Sequence, residues 1–317
     1  MNKSSYLICC FVSLMILMSS LTFPLHNFLS LAEGQQQLSS ISGSSKNVTD
    51  LIKSNGKNSS VQLENKTVNY FEKSSGYLVY PTLTSSVETN ITAKSNNTLP
   101  AIVMIHENKG LNENIKSMAN LLAKEGYVIL AVDLFNGEVT TDQKRASELT
   151  QTIRDNPAGA IANLRSAVTY LSSLPNVNPD KIASLGWCFG GQQSLQLALN
   201  SEEHPLSATV IYYGRLVTQP ETLSKIHWPV LGIFGDQDKS IPIESVKKFE
   251  EALNANGIIN EIYIYKGVGH AFANPSGDNY APEETQVAWE KTISFLKNIW
   301  AKDYISFSLF LLFCFIE

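Results

Sequence analysis

The 317-residue sequence is poor in cysteine: it has four, and three of them lie in apolar segments near the chain ends, at positions 9, 10 and 314. Cys188 is the one cysteine in the body of the chain. A lone cysteine excludes a disulfide framework and a Cys-x-x-Cys metal pair, and we expect no metal site and no cofactor. Long basic runs are missing as well, and the net charge is −5. Both features argue against nucleic acid as a partner.

The C-terminus lacks a hydrophobic run long enough for a membrane span, because residues 305–316 fall short of the ~20 apolar residues that a bilayer requires. The tail, 301–317, could be an interfacial anchor, a packed terminal helix or a translation artefact. At the other end, residues 1–33 carry a lysine followed by an apolar stretch, which predicts a signal peptide or an N-terminal membrane anchor. We therefore expect an extracellular protein, or one that is anchored in the membrane and faces outside.

Residues 34–68 are rich in Ser, Asn, Gln and Lys and have few large apolar side chains, which predicts a disordered linker. From 69 to 300, strand-like and helix-like patterns alternate after a first hairpin. Ala101–Ile105 has the continuous apolar run of a strand buried on both faces, and Asn114–Lys124 has the pattern of a helix that ends before Gly126. The alternation predicts an α/β fold with a mostly parallel central sheet and helices on both faces.

Cys188 lies in a sharp glycine-rich turn, Gly-Trp-Cys-Phe-Gly-Gly, between a predicted strand and a predicted helix. This is the pattern of a nucleophile turn with cysteine in place of serine. The turn would lift the thiol clear of the sheet and aim it at a helix N-terminus, where free N–H groups favour an anion. A buried, inert cysteine is the alternative, but core packing does not require flanking glycines.

Polar residues also follow other predicted strands, at the sheet edge where the functional groups of α/β proteins collect. Asp236 and Asp238 follow one late strand, and His270 follows the next within Gly-His-Ala-Phe. The order nucleophile, acid, histidine is that of the α/β-hydrolases. His270 would move the proton and an aspartate would orient it, although spacing alone does not separate the two aspartates. For His106, which follows an earlier strand, we favour a structural role over catalysis.

Together these motifs resemble the dienelactone hydrolase (carboxymethylenebutenolidase-like) family of the α/β-hydrolase fold, over about residues 100–296. The resemblance is carried by Glu107 in His-Glu-Asn-Lys-Gly, the Cys188 turn, Asp-Lys-Ser-Ile-Pro at Asp238, and Gly-His-Ala-Phe at His270. It implies a Cys188–His270–Asp238 triad, since the acid of the family lies four residues before the proline. It further implies that Glu107 contacts the thiol and helps to activate it.

The resemblance also implies an oxyanion hole formed by the backbone N–H groups of Phe189 and, after the first motif, Asn108. Two positions depart from the family, whose best-known members hold a substrate carboxylate with arginines. Here the matching positions are Asn136 and Asn274, and an amide cannot form a bidentate clamp of comparable strength. The departures argue against an anionic dienelactone as the substrate.

Arg145 or Arg215 could take the place of the missing arginines, although the sequence favours surface charges for both. We expect a cofactor-independent hydrolase of small-molecule esters or lactones that works through an acyl-enzyme. Two alternatives remain: a surface-tethered, non-catalytic binding module on the same fold, and a peptidase or acyltransferase.

Overall fold

Eight strands form one sheet in a computed structural model of the protein, which describes residues 61–82 and 98–314. In chain order the strands are β1 (Leu63–Phe71), β2 (Ser74–Pro81), β3 (Leu99–Ile105), β4 (Val128–Val132), β5 (Val177–Trp187), β6 (Ala208–Tyr212), β7 (Val230–Gly235) and β8 (Asn260–Tyr265). Their order across the sheet is β1-β2-β4-β3-β5-β6-β7-β8. The pairs β1–β2 and β2–β4 are antiparallel, and the other five are parallel. The predicted fold class is confirmed.

Helices cover both faces of the sheet. They are α1 (Glu113–Lys124), α2 (Gln143–Asp155), α3 (Pro157–Ser172), α4 (Phe189–Ala198), the short α5 (Pro220–Leu223), α6 (Ile243–Ala255) and α7 (Pro282–Cys314). One apolar cluster joins α3, α4 and α6 to the sheet, and a second joins α1 and α7 to the opposite face. Leu130 of β4 belongs to the first cluster and its neighbour Ile129 to the second, because successive strand residues point to opposite faces. Burial on both faces explains the unbroken apolar runs of the central strands.

The predicted boundaries of the folded domain need two corrections. Strand β1 begins at Leu63, so residues 63–68 are not part of a linker. Their polar side chains misled the prediction, because an antiparallel strand at the sheet edge can expose most of its residues. At the other end, α7 continues past residue 300 into the predicted tail as far as Cys314, and no glycine or proline follows Pro282 within it. Within the described residues, no helix is both long and apolar enough to cross a membrane.

The predicted signal or anchor segment, 1–33, lies outside the described residues, as does the predicted linker up to residue 60. Both stay predictions, and so does the expected extracellular location.

Backbone contacts at the Cys188 turn leave no room for side chains on two glycines. A Cβ on Gly186 would lie 2.2 Å from the carbonyl oxygen of Gly190. A Cβ on Gly190 would lie 2.3 Å from the carbonyl oxygen of Ile105 at the end of β3. Helix α4 therefore packs directly on the ends of β3 and β5, and this close approach is the reason for the glycine pattern.

We predict opposite effects for alanine at two helical glycines. Gly190→Ala should lower the free energy of unfolding by ~2 kcal/mol or more, because the new methyl group meets backbone oxygens that cannot move independently. Gly159→Ala in α3 should raise it by ~0.5–1 kcal/mol, since a Cβ there meets no atom within 4 Å and alanine is the better helix former. Urea unfolding of both variants measures the difference, and equal effects would contradict the packing argument.

Candidate active site

Cys188 adopts a strained backbone conformation at the junction of β5 and α4, with φ 56° and ψ −116°. Such angles cost a non-glycine residue ~1–3 kcal/mol, so the surroundings must hold them. The Cys188 N–H donates to the carbonyl oxygen of Tyr212 (2.9 Å), and its own carbonyl accepts from the N–H of Gln192 (3.1 Å). The free, half-buried thiol lines a cavity of about 520 Å³.

The loops after β7 and β8 bring an acid and a histidine to this thiol. His270 Nε2 lies 3.0 Å from Cys188 Sγ, and its Nδ1 lies 2.7 Å from Asp238 Oδ2. The three side chains that the sequence analysis singled out thus form one continuous chain of hydrogen bonds. Tyr213 packs its ring against the imidazole, with the ring centroids 5.3 Å apart.

The two candidate aspartates have different surroundings. Asp238 is buried, and its Oδ1 accepts from the N–H groups of Ser240 (2.7 Å) and Ile241 (3.1 Å), which leaves Oδ2 for the imidazole. Asp236 accepts instead from the N–H of Gly267 (2.6 Å) and so ties together the loops after β7 and β8. The geometry agrees with the choice of Asp238, and Asp236 has the contacts of a turn residue.

The charge of His270 follows from these partners. Burial alone would lower the pKa of His270, but hydrogen bonds to the Asp238 carboxylate and the Cys188 sulfur outweigh burial and raise the pKa to about 10. These two partners thus favour the protonated form of the imidazole.

Glu107 is buried in the same cavity, but its hydrogen bond differs from the expected one. Its Oε2 accepts from the Asn274 amide (2.5 Å), and within the described residues it makes no hydrogen bond to the thiol. Burial raises the pKa of Glu107 to about 7, although the positive charges of His270 and Lys109 partly offset this. Asn274, at one of the positions where the family has arginine, thus binds the glutamate and adds no charge.

Phe189 and Asn108, the predicted oxyanion-hole residues, both line the cavity. Phe189 is the first residue of α4, so its N–H has no acceptor within the helix. His106 is fully buried: its Nε2 accepts from the Leu134 N–H (3.1 Å), and its Nδ1 donates to the carbonyl oxygen of Glu107 (2.6 Å). These contacts agree with the structural role predicted for His106.

Arg145 and Arg215, the two possible substitutes for the missing arginines, differ in their position relative to the cavity. Arg145 is exposed and paired, with Nε 2.6 Å from Glu138 Oε1 and a further contact to Glu148, as expected for a surface charge. Arg215 is exposed, as the sequence favoured, and it also lines the cavity together with Arg154 and Lys109. The sequence analysis missed Arg154 and Lys109. Asn136 accepts from the Ser74 hydroxyl (3.3 Å) and is not among the cavity residues.

A cysteine on a strained turn after a central strand, with an aspartate and a histidine on later loops, is the arrangement of the α/β-hydrolases. A sequence model of the dienelactone hydrolase family matches residues 87–300, and the chain belongs to that family. It is therefore a hydrolase, which argues against the non-catalytic binding module.

Known relatives and solved structures agree with this assignment. The chain is 29% identical over 239 residues to a protein of Saccharolobus solfataricus named "Putative carboxymethylenebutenolidase", an alignment that covers 63% of this chain and 89% of the relative. It is 29% identical to a Bradyrhizobium protein named "Probable 2-oxo-3-(5-oxofuran-2-ylidene)propanoate lactonase", with 63% and 84% covered. The fold matches a crystal structure of a dienelactone hydrolase-like promiscuous phosphotriesterase from metagenomic libraries, with TM-score 0.65, 22% identity, and 75% and 98% covered.

The buried carboxyl group of Glu107 should make the stability of the folded protein depend on pH. The pKa of Glu107 is about 7 in the folded protein and near 4.5 in the unfolded chain, so the folded state holds the proton to higher pH. The contribution of Glu107 to stability should therefore fall as pH rises from about 4.5 to 7, by roughly 3 kcal/mol in total. In urea unfolding, the free energy of unfolding of Glu107→Gln minus that of wild type should therefore be larger at pH 8 than at pH 5.

An exposed variant, Glu113→Gln, provides the control for simple loss of a carboxylate. If the difference in the free energy of unfolding between Glu107→Gln and wild type stays constant across this pH range, the raised pKa of Glu107 is contradicted.

Proposed function

We propose that the protein hydrolyses small-molecule esters or lactones with its own side chains, through an acyl-enzyme on Cys188. The observation that carries the proposal is the hydrogen-bonded chain from Cys188 Sγ through His270 to Asp238, with distances of 3.0 and 2.7 Å. The names of the relatives point the same way, since they include a carboxymethylenebutenolidase and a lactonase.

In the first half of the reaction, Cys188 Sγ attacks the acyl carbon as the thiolate and a tetrahedral oxyanion forms. The backbone N–H groups of Phe189 and Asn108 donate to this oxyanion, and each such donor is typically worth ~3 kcal/mol. Collapse of the intermediate breaks the bond to the alcohol oxygen, and His270 Nε2 gives its proton to that oxygen. The alcohol departs, or in a lactone becomes free at the far end of the acyl group.

The charge of the sulfur couples the two halves of the reaction. Contact with Cys188 is one cause of the raised pKa of His270, and acylation removes the negative charge of the sulfur. The imidazolium therefore becomes a stronger acid when the leaving group needs a proton. The neutral imidazole then takes a proton from water, and the resulting hydroxide attacks the thioester. Collapse breaks the carbon–sulfur bond, releases the acyl group as a carboxylic acid and frees the Cys188 sulfur for the next cycle.

Removal of the thiol should abolish turnover. Cys188→Ala should reduce kcat/KM for 4-nitrophenyl butyrate by ~10³-fold or more, because no other group in the proposed mechanism can carry the acyl group. Mass spectrometry of wild-type protein after a rapid acid quench should find the butyryl adduct on the Cys188 peptide. Unchanged hydrolysis by Cys188→Ala would exclude the mechanism, and transfer of the acyl group to added alcohol in preference to water would indicate an acyltransferase.

The two neighbouring aspartates provide a matched pair. Asp238→Asn should reduce kcat by ~10²–10⁴-fold, because the amide can leave His270 in the wrong tautomer and no longer stabilises the imidazolium. Asp236→Asn should change kcat by less than about threefold, since its contact is with a loop N–H. Steady-state kinetics of the two variants on one ester decide between them. Equal losses would contradict the assignment of Asp238.

A further inference from the structure

The fold holds the two donors of the proposed oxyanion hole in different ways. Phe189 is the first residue of α4, so the helix sets the direction of its N–H. Asn108 lies in the loop between β3 and α1, where no helix or strand fixes the backbone. Within the described residues the Asn108 N–H donates to no backbone carbonyl. A donor on such a loop needs another contact to aim it before it can stabilise an oxyanion.

His106, which directly follows β3, contacts the backbone beside Asn108. Its Nδ1 lies 2.6 Å from the Glu107 carbonyl oxygen, and its Nε2 lies 3.1 Å from the Leu134 backbone nitrogen. A carbonyl can only accept and a backbone N–H can only donate, so the ring carries its proton on Nδ1 and is neutral. Burial favours the same form, because it lowers the pKa of His106.

The Glu107 carbonyl and the Asn108 N–H belong to one peptide unit. Such a unit is planar and trans, so its C=O and N–H point in opposite directions. His106 is fully buried, and its hydrogen bond turns the carbonyl toward the protein interior. The N–H therefore points away from the interior, and Asn108 lines the cavity at Cys188. One buried hydrogen bond thus sets the direction of the Asn108 donor.

The His106 ring also contacts the residue that carries the other donor. Its centroid lies 6.1 Å from that of the Phe189 ring in a stacked arrangement, and 4.6 Å from that of Phe135 in an edge-on one. The Leu134 N–H holds the opposite side of the imidazole, so the ring cannot turn without breaking a buried hydrogen bond. His106 therefore links both donors to the ends of β3 and β4.

We propose that His106 is the positioning residue of the oxyanion hole. Its Nδ1–H holds the Glu107 carbonyl so that the Asn108 N–H points at the oxyanion that forms when Cys188 attacks. The ring itself touches no substrate and exchanges no proton. This inference rests on the proposed hydrolase function and adds an effect on kcat to the structural role of His106.

Two amides that each keep one of the two hydrogen bonds test the proposal. Asparagine places an N–H near the position of Nδ1, whereas glutamine places an oxygen near that of Nε2. His106→Gln should lower kcat for 4-nitrophenyl butyrate by ~10- to 100-fold, approaching the loss of one oxyanion donor. KM should change less than ~3-fold, because both halves of the reaction pass through an oxyanion and slow together. His106→Asn should keep kcat within ~5-fold of wild type.

Packing alone predicts the opposite order of the two variants. Asparagine is smaller than glutamine and leaves the larger gap beside Phe135 and Phe189, so His106→Asn should be the less stable variant in urea unfolding. Tyr70→Phe is the control for a buried hydrogen bond lost at the end of β4, since the Tyr70 hydroxyl accepts from the Asp133 N–H (3.1 Å). Its kcat should stay within about twofold of wild type.

A second measurement needs no turnover. Butyl trifluoromethyl ketone reacts with a thiolate to form a carbon–sulfur bond, and the carbonyl electron pair moves to the oxygen as an oxyanion. Iodoacetamide alkylates the same sulfur by displacing iodide and forms no oxyanion. His106→Gln should bind the ketone ~10- to 100-fold more weakly than wild type and His106→Asn should not. The rate of Cys188 alkylation, followed by peptide mass spectrometry, should stay within about twofold in both variants.

Wild-type protein supplies a check without any substitution. Nitrogen NMR of the His106 ring at neutral pH should find the proton on Nδ1 and none on Nε2. The opposite tautomer, or a charged ring, overturns the proposal.

The variants separate this inference from the hydrolase function. Equal losses of kcat in His106→Asn and His106→Gln, an unchanged kcat in His106→Gln, or a loss of kcat without weaker ketone binding overturns the positioning role. Absence of ester hydrolysis by wild type, with ketone binding weakened in His106→Gln and retained in His106→Asn, overturns the ester or lactone chemistry and supports the positioning role. Wild type that neither hydrolyses the ester nor binds the ketone overturns both.

Discussion

Helix α4 lies so close to the ends of β3 and β5 that backbone touches backbone, and the reactive centre depends on this contact. The contact forces glycine at positions 186 and 190, fixes the start of α4 at Phe189, and holds Cys188 at a positive φ that the residue would not adopt by itself. The sulfur is therefore aimed into the cavity by the core of the sheet. A side chain in contact with α4 could change its rotamer, whereas the backbone of strand ends that are buried on both faces cannot shift.

Electrostatics at the cavity follow from burial and from which charges have partners. Asp238 is held by two backbone N–H groups, and its carboxylate favours the protonated form of His270. Glu107 lies buried nearby, and its burial makes it bind a proton more tightly than an exposed glutamate does. The cavity is thus lined by Lys109, Arg154, Arg215 and His270 and by a single acid, Glu107, in a protein whose net charge is −5.

Much of this could be predicted from the sequence, and the failures have physical causes. Continuous apolar runs identified the parallel strands, and the glycine pattern identified the Cys188 turn, because both reflect local packing needs. Leu63 was missed as a strand start since an edge strand can be polar. Arg154 was missed because it lies on a helix, and which helix face meets the cavity is decided by tertiary packing. Arg215 follows the end of β6 by three residues, so attention to that strand end would have found it.

The two ends of the hydrogen-bonded chain differ in how firmly the sheet holds them. Cys188 follows β5, which pairs with strands on both sides, whereas His270 follows β8, the outermost strand, which pairs with β7 alone. Fraying of an outer strand needs far less free energy than opening of the centre. Local opening of β8 would therefore separate the His270 ring from the Cys188 sulfur while the centre of the sheet stays paired.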